Sequence, residues 1–182
     1  MAYKKLKLKD SRILTLDFLE EEDLPEVVDA LNSVIRERVY LGHDEEIVDM
    51  DLERKWYQDH MKSGMTYLVA RVDGEVVGGA SIEPRRGKFA HTAAYGIFIK
   101  DGFRNMGIGT KLTNALVEIA RQRGFEILEL SVLGSNKRAQ HVYKKCGFKY
   151  VGKIKRGVKM INGTYTDNII MVLALNENSL LK

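Results

Sequence analysis

A chain of 182 residues with 45% hydrophobic and 30% charged residues has enough apolar material for a sizeable core, which excludes disorder. One cysteine excludes an internal disulfide and points to a reducing compartment, and no apolar run approaches the roughly 18 residues of a membrane span. The net charge of +4 suits an anionic ligand without requiring nucleic acid, so the expectation is a cytoplasmic protein with one domain over residues 1–182 and a core of about 12–175.

Residues 1–10 carry four lysines with no apolar stretch behind them, so they read as a loose end and not as a secretory signal. Arg12 to Leu19 alternates as a first strand. Glu20 to Asp23 is an acidic lead into a helix with Pro25 near its first turn, and Leu24, Val27, Val28, Leu31, Val34 and Ile35 give it one apolar face. Arg36-Glu37-Arg38-Val39-Tyr40-Leu41 then lies at a helix end or loop. A second helix spans about Leu52 to Lys62, anchored by Trp56 and ended by Gly64. Thr66–Val72 and Glu75–Ile82 form a hairpin around Asp73-Gly74. A turn at Pro84-Arg85-Arg86-Gly87 leads into a strand over Ala90–Ile99.

Here the period changes. Tyr95, Ile97 and Ile99 alternate; Asp101-Gly102 breaks the strand; from Ile108, Leu112, Ala115, Leu116, Ile119 and Ala120 fall on one helix face that Gly124 closes. A helix start leaves N–H groups without partners and carries partial positive charge. Gly107 and Gly109 let a ligand approach the backbone, and Arg104 and Lys111 add cationic donors. The sum is a pyrophosphate cradle. A dinucleotide fingerprint needs a third glycine where Leu112 stands, and a nucleoside-triphosphate loop needs a lysine where Ile108 stands. What remains is Arg104-x-x-Gly107-x-Gly109 opening a long amphipathic helix.

Beyond it, Ile127–Val132 reads as a strand, and Asn136 can cap a short helix that Gly147 stops after Cys146. Phe148–Val158 and Thr166–Leu175 close the chain around a turn at Asn162-Gly163. The order is β α α β β β α β α β β, an α/β (α+β) fold with a mixed sheet of about six to seven strands flanked by about four helices.

The Arg104 to Gly109 loop resembles the coenzyme A pyrophosphate loop of the GNAT superfamily of N-acetyltransferases, whose pattern is Arg or Gln, two residues, Gly, one residue, then Gly or Ala. A second hallmark lies 27 residues beyond Gly109: Asn136, Ala139, Tyr143 and then Gly147-Phe148 opening a strand. With the element order, the resemblance covers about Arg12 to Leu175. It implies an acetyl-CoA-dependent N-acetyltransferase that transfers the acetyl group directly to a primary amine: a small amine, polyamine, amino acid or protein amino group. It implies that the backbone of Ile97, Phe98 and Ile99 binds the pantetheine arm of coenzyme A. Arg104, Asn105, Met106, Gly107, Ile108, Gly109, Thr110 and Lys111 would bind the pyrophosphate, and Asn136 the arm. Tyr143 would sit by the sulfur as the general acid; a phenol near pKa 10 can protonate a thiolate near 8.5. Homodimers are a family habit.

A lysine-like acceptor amine is protonated at neutral pH, and stripping that proton costs about 4–5 kcal/mol. Members that act on ribosomal proteins place a Glu where Ser131 stands, and histone-modifying members place one where Ala93 or Ala94 stands, so both familiar bases are missing. The substitutes are Glu83, Glu129, Glu37 and His91, each of which also reads as a surface group. Asp167, in Gly163-Thr164-Tyr165-Thr166-Asp167, is a candidate contact for a cationic acceptor, or simply part of a turn. The four histidines show no ligand spacing, so no metal is expected. Residues 137–159 hold nine Lys or Arg and no acid, a solvated face that can also steer phosphates. A non-catalytic acyl-CoA sensor is the alternative from another class, with a basic nucleic-acid module behind it.

Overall fold

Two antiparallel blocks of strand meet at one short parallel ladder. In the computed structural model, which describes residues 3–176, the strands are β1 (Lys4–Lys7), β2 (Ile13–Phe18), β3 (Thr66–Val72), β4 (Glu75–Pro84), β5 (Thr92–Ile99), β6 (Ile127–Leu133), β7 (Lys149–Lys159) and β8 (Tyr165–Ala174). They form one eight-stranded sheet in the order β1-β2-β3-β4-β5-β6-β8-β7, with β5 and β6 as its parallel pair. The helices are α1 (Leu24–Ile35), α2 (Met50–Lys62), α3 (Ile108–Gln122) and α4 (Lys137–Lys145).

Alternation along the strands sorts the helices to opposite faces. On β3, Leu68 and Ala70 join the core under α3, whereas Tyr67 and Val69 join the core under α1. The α3 stripe expected from the sequence is buried: Leu112, Leu116 and Ala120 have no exposed surface, and each leucine contributes about 2 kcal/mol by burial. Asp73 and Gly74 both take positive φ (52° and 87°), as a two-residue hairpin turn of the primed type requires. Asp49 caps α2 by accepting from the N–H of Asp51 and Leu52.

The sheet has one strand more than expected, and the loose-end reading of residues 1–10 is corrected. Lys4–Lys7 pairs with Leu16–Ile13 as an edge strand. Only Leu6 packs on the core from this strand. Lysines at the other positions blunt an edge that could otherwise recruit another chain, and the same lysines hide the strand from a hydrophobicity pattern.

Candidate active site

The parallel ladder lasts for three residue pairs, Thr92 with Ile127, Ala93 with Leu128 and Ala94 with Glu129. Beyond them the strands part. Tyr95–Ile99 keep their pairing to β4, and Leu130–Leu133 keep theirs to β8. A cavity of about 1300 Å³ occupies the divergence, walled by Gly96–Ile99 on one side and Ser131–Leu133 on the other. The edge of β5 that faces β6 therefore has no strand partner along Ile97, Phe98 and Ile99, and the Ile99 carbonyl accepts from Arg104 Nε instead.

The loop after β5 closes one end of this cavity. Asn105 (φ 65°) and Gly107 (φ 85°) are left-handed, which curls the backbone between them. Gly107 is the N-cap of α3 and its carbonyl accepts from Lys111 N–H at 3.0 Å, so the N–H groups of Ile108, Gly109 and Thr110 precede the first helical bond. A Cβ at Gly107 would meet nothing within 4 Å, so the space beside it is open to a ligand. Asn105, Met106, Gly109, Thr110 and Lys111 also line the cavity. The loop fits a diphosphate: unpaired donors, a helix start and a lysine converge on one concavity.

Arg104 does something else. Its Nη atoms hold both carboxylate oxygens of Glu37, one at 2.7 Å, and its Nε donates to the carbonyl of Ile99 at 2.9 Å. Its guanidinium lies over the ring of Tyr40 at 4.4 Å, and the side chain is about one tenth exposed. Glu37 first, by hydrogen bonding, holds this guanidinium charged above its already high range. The expected roles of both residues change: most donors of Arg104 are occupied, and Glu37 is not a free base because its carboxylate is bound twice. Arg138, on α4, lies over the same Tyr40 ring at 5.8 Å and lines the cavity, and no carboxylate pairs with it among the described residues.

Asn136 caps α4, its Oδ1 accepting from Ala139 N–H at 3.1 Å, and it lines the cavity as well. Tyr143 projects from α4 into an aromatic cluster with Tyr95 (ring centres 6.0 Å apart, edge-on) and Phe148 (5.9 Å). Tyr95 hydroxyl is bonded to Thr113 Oγ1 at 2.8 Å, whereas Tyr143 hydroxyl has no protein partner among the described residues. No buried side-chain polar atom there is left unpaired, so this hydroxyl reaches the cavity that the residue lines. Burial pushes its phenol well above the usual range and keeps the proton on.

Of the other expected bases, none lines the cavity. Glu129 is paired with Arg85 at 2.6 Å, which corrects its reading as a free base. His91 is exposed before β5 and contributes its backbone carbonyl to Glu126 N–H. Glu83 is half-buried on β4 and has no ion pair among the described residues. Asp167 is held by Lys153 at 2.6 Å and by Arg156 N–H at 2.9 Å, with Lys153 the main cause of a carboxyl below its usual range. No group of His, Cys, Asp and Glu suited to a metal occurs among the described residues.

Sequence reasoning missed Tyr40, Arg138 and the pair Lys7 and Lys9, all of which line the cavity. The tripeptide Arg36-Glu37-Arg38 before Tyr40 was the available signal.

Comparison with known proteins agrees with this geometry. A model of the acetyltransferase (GNAT) family matches residues 29–148. The chain is 24% identical over 169 residues to an L-amino acid N-acyltransferase of Escherichia coli, covering 91% of this chain and 96% of that one. It is 28% identical over 159 residues to an L-methionine sulfoximine/L-methionine sulfone acetyltransferase of Pseudomonas aeruginosa, covering 85% and 90%. Among solved structures, a GNAT superfamily phosphinothricin acetyltransferase of Sinorhizobium meliloti in complex with acetyl-CoA superposes with a TM-score of 0.83 at 20% identity, covering 93% and 92%.

Proposed function

Because this chain belongs to the acetyltransferase (GNAT) family, we propose that its acceptor is a small α-amino acid, or a close analogue with an anionic group beside the amine. The enzyme is an acetyl-CoA-dependent N-acetyltransferase, so catalysis and not sensing is its activity. One observation carries the acceptor class. The cavity is lined by seven Lys or Arg side chains and by no Asp or Glu. Some of these cations serve the coenzyme's phosphates. Arg104 and Arg138 both lie against the Tyr40 ring, but Arg104 is engaged by Glu37, whereas Arg138 has no carboxylate partner among the described residues and supplies a guanidinium for an acceptor carboxylate. A polyamine or a lysine-bearing peptide would bring further positive charge into this field. The Escherichia coli relative acts on L-amino acids and the Pseudomonas relative on L-methionine sulfoximine and sulfone, which supports the reading.

The thioester of the co-substrate supplies an activated acyl carbon. The chain holds it through the backbone of residues 97–99 and 105–110, with Lys111 and Asn136 beside them. The amine nitrogen bonds to that carbon, the carbon–sulfur bond breaks, and Tyr143 hydroxyl gives its proton to the departing sulfur. Glu83 takes one proton of the ammonium through intervening water before attack, and the second, shed by the nitrogen as it is acylated, restores the Tyr143 hydroxyl. Among the described residues no helix is long and apolar enough to cross a membrane. A cytoplasmic, single-domain homodimer completes the proposal, with exposed Tyr150, Val151 and Ile154 on the edge strand β7 as a candidate seam.

The test is thiol release from acetyl-CoA over a panel of L-amino acids, their amides, polyamines and lysine peptides. Free amino acids should turn over best, and their amides at least tenfold less efficiently in wild type but about equally in Arg138→Gln. Preference for polyamines or peptides overturns the acceptor class.

A further inference from the structure

The motif arginine of the pyrophosphate loop is turned away from phosphate duty. Three segments meet on it. Its own backbone belongs to the loop between β5 and α3; its Nε holds the carbonyl of Ile99, the last residue of β5; its Nη atoms hold Glu37, just past α1. A left-handed residue, Arg38 (φ 55°), turns the chain immediately after Glu37. That turn brings Tyr40 under the Arg104 guanidinium, with Arg138 of α4 over the same ring. Tyr40, Leu41 and Gly42 then form part of the cavity wall.

We propose that Arg104 and Glu37 are a positioning pair that couples the coenzyme loop to the acceptor wall. Of the five guanidinium donors, the Nε–H and both Nη atoms are engaged by acceptors of this chain, so the diphosphate is held by backbone N–H groups and not by this side chain. Whatever fixes the loop at residues 104–110 fixes Glu37 and, through Tyr40, the wall at residues 40–42. Coenzyme that orders the loop therefore orders the acceptor wall as well. The coupling also runs in reverse: an occupied acceptor site tightens the loop by the same factor.

This inference rests on the proposal that Arg138, stacked on Tyr40, receives the acceptor, but its first test needs no acceptor. Amide hydrogen exchange over residues 36–42 is measured with and without coenzyme A. In wild type, coenzyme A should slow exchange at these residues at least fivefold. In Glu37→Gln the protection should vanish while the coenzyme A dissociation constant, from calorimetry, stays within about threefold. Exchange at 36–42 that ignores coenzyme A in wild type overturns the coupling. A tenfold or greater loss of coenzyme A affinity in Arg104→Gln, with none in Glu37→Gln, overturns the pair and makes Arg104 a phosphate ligand.

With an acceptor in hand, Glu37→Gln and Arg104→Gln should each raise its KM about tenfold, and the double variant no further, because both remove one interaction. Arg104→Lys, which keeps the charge, should recover part of the loss. If the loop variants fail to fold, Tyr40→Leu leaves both charges in place and should raise the acceptor KM alone. An unchanged KM in Tyr40→Leu overturns the role of the wall. Failure of the acceptor panel with intact exchange coupling would fall on the acceptor class, not on this pair.

Discussion

Glu83 and Ala94 stand directly opposite one another across the β4–β5 ladder. Ala94 is in turn abreast of Glu129 on β6. Residues paired this way share a face of the sheet, so two carboxylates flank a methyl group, their backbones roughly 10 Å apart. One step further along the same face, roughly 7 Å away, lie Gly96 and Ser131, which line the cavity. Arg85 already occupies Glu129. Glu83 is the carboxylate of this row without an ion pair among the described residues.

Glu83→Gln should therefore lower kcat/KM for the acceptor by about tenfold to a hundredfold at neutral pH, where the amine arrives protonated. The deficit should shrink as pH rises toward the amine's own pKa. A pH–rate profile of Glu83→Gln beside Glu129→Gln checks this; equal losses in both, or none in Glu83→Gln, remove Glu83 from the proton path.

Tyr143→Phe removes one oxygen from a packed aromatic cluster and leaves the ring contacts to Tyr95 and Phe148 in place. Turnover should fall by about 10² or more while the coenzyme A dissociation constant stays within about twofold. Burial holds this phenol above the ordinary range, so its ionisation should produce no loss of kcat below about pH 10. Single-turnover rates with calorimetry separate the two effects.

Gly107→Ala forces a Cβ into a left-handed conformation, at about 1–2 kcal/mol. It also fills space that is open in the cradle. The melting temperature should drop by a few degrees, and coenzyme A affinity should fall by at least tenfold. Full affinity with a lowered melting temperature would show that the glycine serves the turn and not the ligand.

Tyr67, Tyr95 and Tyr143 are buried, and burial raises all three phenols. In the unfolded chain they ionise near pH 10. Above that pH the unfolded state has shed protons that the native state retains, so stability falls as pH rises. The melting temperature should hold through about pH 9 and decline beyond about pH 10. Tyrosinate absorbance should appear together with unfolding and not before it.

Local chemistry explains what the sequence made readable. Asp73-Gly74 announces its turn because few residue pairs accept two positive φ values. Gly107 and Gly109 before an apolar stripe announce a helix start open to a ligand, and Asn136 announces a cap. None of these needs a distant partner. The Arg104–Glu37 pair joins residues 67 apart, and nothing in either neighbourhood names the other. β1 escaped notice because its lysines face water and only Leu6 meets the core. The point where β5 leaves β6 is likewise set by what packs around the strands, and alternation continues unbroken past Ala94.

The three-rung ladder between β5 and β6 leaves the native sheet one partner short. A carrier that lays its amides along the vacant rungs binds the folded chain and not the unfolded one, so occupancy is itself a reserve of stability, worth about 2.7 kcal/mol at a hundredfold excess over the dissociation constant. Coenzyme A at that excess should therefore raise the melting temperature of the chain, and its removal should lower it.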